Sequence, residues 1–211
     1  MAGKKKAVLI GDNERAQWHP LDRIGKVLNE ILAGFDIVQL EDYEQFREEN
    51  ICRYDLCISF IDNFGQKLSD EQAAGLISYV CRGGGLLMIH NGISIGERYE
   101  LAQLAGGRFT EHPEQKVLAY KPKRTGHIIM DGMESFSVKE EPYRFLFDNM
   151  AETTILLEYE YEGEMWPAAW AHSYGLGRVV YLSPGHNIET FLDPAFGKLV
   201  ARSGLWAAGV L

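Results

Sequence analysis

The stretch Gly83-Gly84-Gly85-Leu86-Leu87-Met88-Ile89-His90-Asn91-Gly92 constrains the fold of this chain more than any other. A continuous apolar run bounded by glycines reads as a strand buried on both faces, the pattern of a parallel sheet. In such sheets ligands and reacting groups gather just beyond the carboxyl ends of the strands. His90 is therefore expected at the active edge of an open α/β domain, where related folds place a nucleophile. The turn carries neither Cys nor Ser at that spot.

The flanking sequence alternates in the same way. Ala7-Val8-Leu9-Ile10 reads as a first strand, and Ile24, Val27, Leu28 and Ile31 recur at the spacing of one buried helix face. Gly34 stops that helix, and Phe35–Leu40 alternates as a second strand. The charged segment 41–50 predicts a surface helix or loop, and Leu56–Ile61 a third strand. Ser69-Asp70-Glu71-Gln72 is a capping box, opening a helix that turns Ala73, Ile77 and Val80 inward. After the central strand, 97–105 predicts another helix, with Leu101 and Leu104 buried. Strand–helix alternation of this kind predicts a doubly wound, mainly parallel sheet.

Beyond Gly106-Gly107 the pattern changes to strands separated by turns: 117–120, 154–157, 168–171 and 178–182, the last two joined at Gly175-Leu176-Gly177. Asp193-Pro194 opens a final helix, with Asp as cap and Pro in the first turn. Its expected buried face is Phe196, Leu199, Val200, Ser203 and Trp206. With no repeat, linker or second core, the expectation is a single α/β domain over 1–211 with added antiparallel strands.

A net charge of −9 argues against a nucleic-acid partner, which calls for a basic face. Lys4-Lys5-Lys6 reads as a solvated flank of the first strand. No apolar run approaches the roughly 18 residues of a membrane span, and no signal peptide is recognisable, so a cytoplasmic location is expected. Three cysteines (Cys52, Cys57 and Cys81) match no zinc spacing and read as free, mostly buried thiols.

Four of the six histidines fall at strand ends or in loops: His19, His90, His112 and His186. The loops after the first and fourth strands of a doubly wound sheet can meet, which would bring His19 to His90. Imidazoles gathered at one edge serve as acid and base near neutral pH or as metal ligands; each could equally cap its own loop. Glu140-Glu141-Pro142-Tyr143 offers paired carboxylates for proton transfer, metal ligation or a sugar contact, or a plain solvated turn. His172 reads as a satisfied strand residue and His127 as a loop brace. No P-loop, HExxH or GxSxG pattern is present.

The segments Gly84–His90, Leu104-Ala105-Gly106-Gly107-Arg108-Phe109-Thr110-Glu111-His112-Pro113, Gly126–Gly132, Glu140–Tyr143 and Gly175–Tyr181 followed by Gly185-His186-Asn187 occur in that order. Together they resemble the ThuA-like (trehalose utilisation) family over nearly the whole chain. The resemblance implies a flavodoxin-like sandwich of the class I glutamine amidotransferase-like type. Relatives of that type hold a catalytic cysteine in the turn occupied here by His90-Asn91-Gly92, so thiolate hydrolysis of glutamine is not expected. The resemblance also implies a sugar-derived ligand. The chain departs from the family pattern at Ile128, where Pro is usual, and at Glu140, where Asp is usual.

Two functional readings follow. In the first, the protein is an enzyme acting on a disaccharide or keto-glycoside derivative, by isomerisation, elimination or hydrolysis. His90 and His186 supply acid/base or ligand groups, and Glu141 a carboxylate for proton transfer, substrate or metal. His19, His112, Tyr143 and Asn187 line the substrate, while Asn91 and the backbone at Gly92 donate to a substrate oxygen. A divalent metal is an open option as cofactor. In the second, the same fold is a non-catalytic sugar-binding or regulatory domain. The expected partner is a small carbohydrate, with no nucleic acid and no membrane. The apolar end 205–211 either packs on the sheet, the preferred reading, or forms a contact in a homo-oligomer.

Overall fold

The structure is a computed structural model that describes residues 3–211. Its frame is a nine-stranded mixed sheet in the order β2-β1-β3-β4-β11-β10-β9-β6-β7. The first five positions are β2 (Phe35–Leu40), β1 (Lys5–Gly11), β3 (Leu56–Phe60), β4 (Gly85–Ile89) and β11 (Gly177–Leu182), each parallel to its neighbour. The antiparallel extension is β10 (Glu164–Tyr174), β9 (Thr154–Tyr161), β6 (Lys116–Pro122) and β7 (Phe136–Glu140). A separate ribbon pairs β5 (Gly107–Glu111) with β8 (Arg144–Phe147).

Side chains of the central strands divide by parity, as the two-residue pleat demands. Ala7 and Leu9 of β1 and Leu87 and Ile89 of β4 join a core that includes α1 (Leu21–Ile31) and α6 (Pro194–Ala207). Val8, Ile10, Leu86 and Met88 join the opposite core, which includes α3 (Asp70–Cys81) and α4 (Tyr99–Ala105). Both faces of the sheet are covered, which is why the strands read as unbroken apolar runs.

The helix ends follow the sequence closely. Ser69 and Gln72 form both bonds of the capping box on α3. On α6 the Asp193 carboxylate accepts from the backbone N–H groups of Ala195 and Phe196, with Pro194 in the first turn. At the β10–β11 hairpin, Gly175 has φ +59° and a Cβ on Gly177 would lie 2.2 Å from the Val80 carbonyl oxygen, so the turn seats directly on α3.

Several expectations need correction. The helix foreseen over 97–105 begins only at Tyr99, because His90–Glu97 is an eight-residue 3-10 helix running off β4. The buried stripe of α3 is Ala73, Leu76, Tyr79 and Val80, with Ile77 half-buried beside it. On α6 Ala207 is buried where Trp206 was expected, and the Trp206 ring lies under the Arg178 guanidinium, which also donates to the Trp206 and Leu211 carbonyls. The chain end is therefore tied to the start of β11, in the middle of its own sheet. Strands β5 and β7 carry few apolar residues, and β8 (Arg144-Phe145-Leu146-Phe147) is only four residues long, so none of the three stands out in the sequence. Segment 41–50 contains a short 3-10 turn (Tyr43–Phe46) and the start of α2 (Glu48–Ile51). The remaining helix is α5 (Ile188–Leu192). Among the described residues no helix is long and apolar enough to cross a membrane.

Candidate functional site

Four adjacent parallel strands deliver one polar side chain each to a single point beyond their carboxyl ends. The loop after β1 brings His19, the residues after β3 bring Asp62, β4 runs directly into His90, and the loop after β11 brings His186. The end of β7 adds Glu141 from the antiparallel side. Strand order reverses between β1 and β3, so the cluster occupies the switch-point crevice where such sheets bind ligands.

Two of the three imidazoles are oriented by an outer contact. The Asp62 carboxylate lies 2.9 Å from His19 Nδ1, and the Ser183 carbonyl lies 2.7 Å from His90 Nδ1. Both partners are pure acceptors, so both Nδ1 atoms carry the proton and both Nε2 atoms present a lone pair inward. His19 Nε2 is 3.2 Å from His90 Nε2 and 3.0 Å from His186 Nδ1. Glu141 Oε2 is 3.3 Å from both His90 Nε2 and His186 Nδ1. One donor atom from each of His19, His90, His186 and Glu141 thus lies within 4.8 Å of all the others, close enough to share one cation.

The backbone at His90 is specialised for this. With φ +49° it is one of two non-glycine residues in the left-handed region among those described, a conformation that costs roughly 1–2 kcal/mol. Tyr181 donates its hydroxyl to the His90 carbonyl and Asn91 its amide to the Phe60 carbonyl, holding the turn in place. Gly92 passes so close to β3 that a Cβ there would sit 1.9 Å from the Ser59 carbonyl oxygen.

Two adjacent carboxyl groups have opposite environments. Glu140 is fully buried and accepts from the backbone N–H groups of Gly185 and His186 and from the Thr190 hydroxyl at 2.5 Å. Burial lifts its pKa to about 7 against the pull of those donors. Burial also pushes the Glu141 carboxyl upward, but the nearby His186 and His90 rings outweigh it and hold the group below the ordinary range. His90 is fully buried, and desolvation lowers its pKa to about 4.

At the mouth, His112 is partly exposed, with Nε2 3.8 Å from Glu141 Oε2. Tyr143 is buried between the two rings, stacked 4.4 Å from His90 and 5.4 Å from His112 between centroids. Of the residues singled out in the sequence, His19, His90, His186 and Glu141 meet directly, and His112 and Tyr143 adjoin them. Asn91 and Gly92 are buried in the turn beneath. Asn187 is half-buried one residue past His186 and donates to the Lys139 carbonyl. His172 instead bonds the Leu104 carbonyl, and His127 accepts from the Ile129 N–H. A cavity of about 640 Å³ lined by segment 122–135 shares no residue with the cluster.

Asp62 was not foreseen as a site residue. The available signal was its position, a polar Asp-Asn pair closing an apolar strand, as at His90. Behind it, Asp12 accepts from the Asp62 backbone N–H at 3.1 Å and from the Tyr43 hydroxyl.

Fold and site together define a flavodoxin-like α/β protein with a histidine–carboxylate cluster beyond the carboxyl ends of its parallel strands. The ThuA family model, described as trehalose utilisation, matches residues 7–207, and the chain belongs to that family. A ThuA-like protein from Parabacteroides merdae superposes with a TM-score of 0.81 at 19% identity, covering 98% of this chain and 90% of the other. A second, from Bacteroides uniformis, gives 0.78 at 17% identity, covering 98% and 93%. A cytoplasmic protein from Salmonella typhimurium LT2 gives 0.69 at 15% identity, covering 96% and 99%. At these identities the likeness is one of fold. No curated protein matches the sequence.

Proposed function

We propose that the protein is an enzyme of carbohydrate catabolism that acts on a disaccharide or keto-glycoside derivative by proton transfer at the histidine–carboxylate cluster. The observation that carries the reading is the convergence of three inward-facing imidazole nitrogens and the Glu141 carboxylate, with neighbouring donors 3.0–3.3 Å apart, at the ligand-binding edge of a trehalose-utilisation family fold.

In this reading the substrate enters past His112, whose partly exposed ring exchanges protons with solvent and with the bound sugar. Glu141, ionised and beside His112, His90 and His186, accepts the proton from carbon next to a carbonyl, the electron pair passes to the carbonyl oxygen as an enediolate, and a proton returned through His112 completes the transfer. Tyr143 keeps the His90 and His112 rings aligned by stacking. No thiol takes part: Cys57 is buried in the core, and Cys52 and Cys81 belong to other parts of the chain.

The test is incubation of the purified protein with trehalose, other disaccharides and their keto forms, with products followed by NMR. Conversion abolished by Glu141→Gln supports the reading. Saturable sugar binding without conversion, in protein reloaded with divalent ions, would replace it with a binding or regulatory domain.

A further inference from the structure

We propose that His19, His90, His186 and Glu141 form the binding site of one divalent first-row transition-metal ion per chain. The inference concerns the site assigned above to sugar chemistry and rests on that reading only for its catalytic consequence.

The first argument is one of hydrogen-bond bookkeeping. His19 Nδ1 must donate to the Asp62 carboxylate, and His90 Nδ1 to the Ser183 carbonyl, because neither partner can donate. The neutral rings then present two lone pairs to one another at 3.2 Å, an unfavourable contact in a buried site. Beside them Glu141 Oε2 is a buried acceptor with no hydrogen-bond partner, although it lies 3.3 Å from two ring nitrogens. His186 Nδ1 carries at most one proton, which cannot satisfy His19 Nε2, His90 Nε2 and Glu141 Oε2 together. A single cation at their centre satisfies all four donor atoms.

The second argument is metric. Taken in order, the donors His19 Nε2, His186 Nδ1, Glu141 Oε2 and His90 Nε2 form a closed ring with sides of 3.0, 3.3, 3.3 and 3.2 Å. An ion bound to imidazole at about 2.0–2.1 Å requires neighbouring ligands about 3.0 Å apart at right angles, or about 3.4 Å apart at tetrahedral corners. The sides of the ring meet that requirement; all four atoms lie within 4.8 Å of one another, and drawing the diagonals in to the about 4.2 Å that one ion allows takes a closure of at most about 0.6 Å.

The third argument is ligand chemistry. Three imidazoles and one carboxylate suit zinc, cobalt, nickel, iron or manganese, whereas magnesium and calcium prefer all-oxygen sites. Asp62 and the Ser183 carbonyl are the outer partners that fix the ring orientations, an arrangement typical of histidine-ligated metals. His112, 3.8 Å from Glu141 Oε2 and partly exposed, lies outside the ring on the side that solvent reaches.

The test strips the full chain with a chelator and reloads it with Zn²⁺, Co²⁺, Mn²⁺, Mg²⁺ or Ca²⁺ singly. Bound metal is counted by elemental analysis, the Co²⁺ form is read by its visible absorption, and folding is monitored by circular dichroism. One equivalent of transition ion per chain is expected, with no saturable binding of Mg²⁺ or Ca²⁺. His186→Ala and Glu141→Gln should each weaken binding by at least about 100-fold, since even an outer partner is worth about 10–100-fold, while His127→Ala binds as the parent does. His19→Ala serves as the second imidazole variant if His186→Ala fails to fold. Failure of the parent chain to retain any transition ion, or unchanged binding in the folded variants, would overturn the proposal. Metal bound without sugar turnover would remove the sugar reading alone; turnover in fully stripped protein would remove the metal's part in the chemistry and leave the binding site standing.

Discussion

Glu140 and Glu141 are neighbours in the chain, yet their carboxyl groups serve opposite sides of one loop. Glu140 faces back into the protein and gathers the N–H groups of Gly185 and His186 with the Thr190 hydroxyl, whereas Glu141 faces the imidazoles. One glutamate fixes the backbone that carries His186, and the next meets the His186 ring. The two environments drive the carboxyl pKa values apart, Glu140 upward and Glu141 downward.

This separation sets a pH dependence. The Glu140 carboxyl rises from 4.5 unfolded to about 7 folded, so its contribution to stability is complete below about pH 4.5 and is lost as pH rises through about 7. Glu140→Gln, which is neutral throughout, should therefore gain stability relative to the parent between pH 5 and pH 8, by up to about 3 kcal/mol. Urea unfolding of both proteins across that range in the presence of chelator checks it. A constant difference between the two proteins would show that Glu140 stays ionised.

Asp62 holds His19 in the tautomer that points Nε2 inward. Asp62→Asn keeps the shape but removes the charge and lets the amide turn a donor toward the ring. Activity on the sugar substrate and affinity for Zn²⁺ should fall together by about 10–100-fold, with the melting temperature little changed. A fall in melting temperature with affinity intact would reassign Asp62 to a structural role.

Gly92 lets the turn after β4 lie against β3. Gly92→Ala places a methyl 1.9 Å from the Ser59 carbonyl oxygen, in backbone held on both sides by the sheet. A loss of about 3 kcal/mol is expected, at the top of the range for overpacked cores. Chemical denaturation measures it, and an unchanged midpoint would mean that the turn shifts freely.

Thiol modification should leave activity intact. Cys57 is buried, with desolvation pushing its thiol pKa up, and Cys52 is the exposed cysteine that alkylating reagents reach first. Complete alkylation of Cys52 with loss of turnover would contradict a cysteine-free mechanism.

The parallel half of the fold was legible because β1, β3 and β4 are buried on both faces and leave unbroken apolar runs such as Leu86–Ile89. Strand β8 was not, because it is only four residues long, and β5 and β7 were not, because their pattern is mixed: Phe136-Ser137-Val138-Lys139-Glu140 ends in a glutamate buried for its hydrogen bonds, which no hydropathy pattern anticipates. Proximity of His19 to His90 followed from strand order alone. The approach of Glu141 did not, since it depends on the end of β7, at the far edge of the sheet, meeting the loop after β11. Asp62 was missed for a related reason: a carboxylate that acts through another side chain has no local signature beyond its position at a strand end.

The cluster is assembled from residues 19, 62, 90, 141 and 186, each on a different loop. No fragment short of most of the domain contains it, and no two of its members are close in sequence. Occupancy of the site therefore reports completed folding: a chain that has lost or misplaced one of these loops has no second-best version of the site to offer. A ligand held there would also act as a clasp, joining segments 167 residues apart and raising the energy of any partial opening at the active edge.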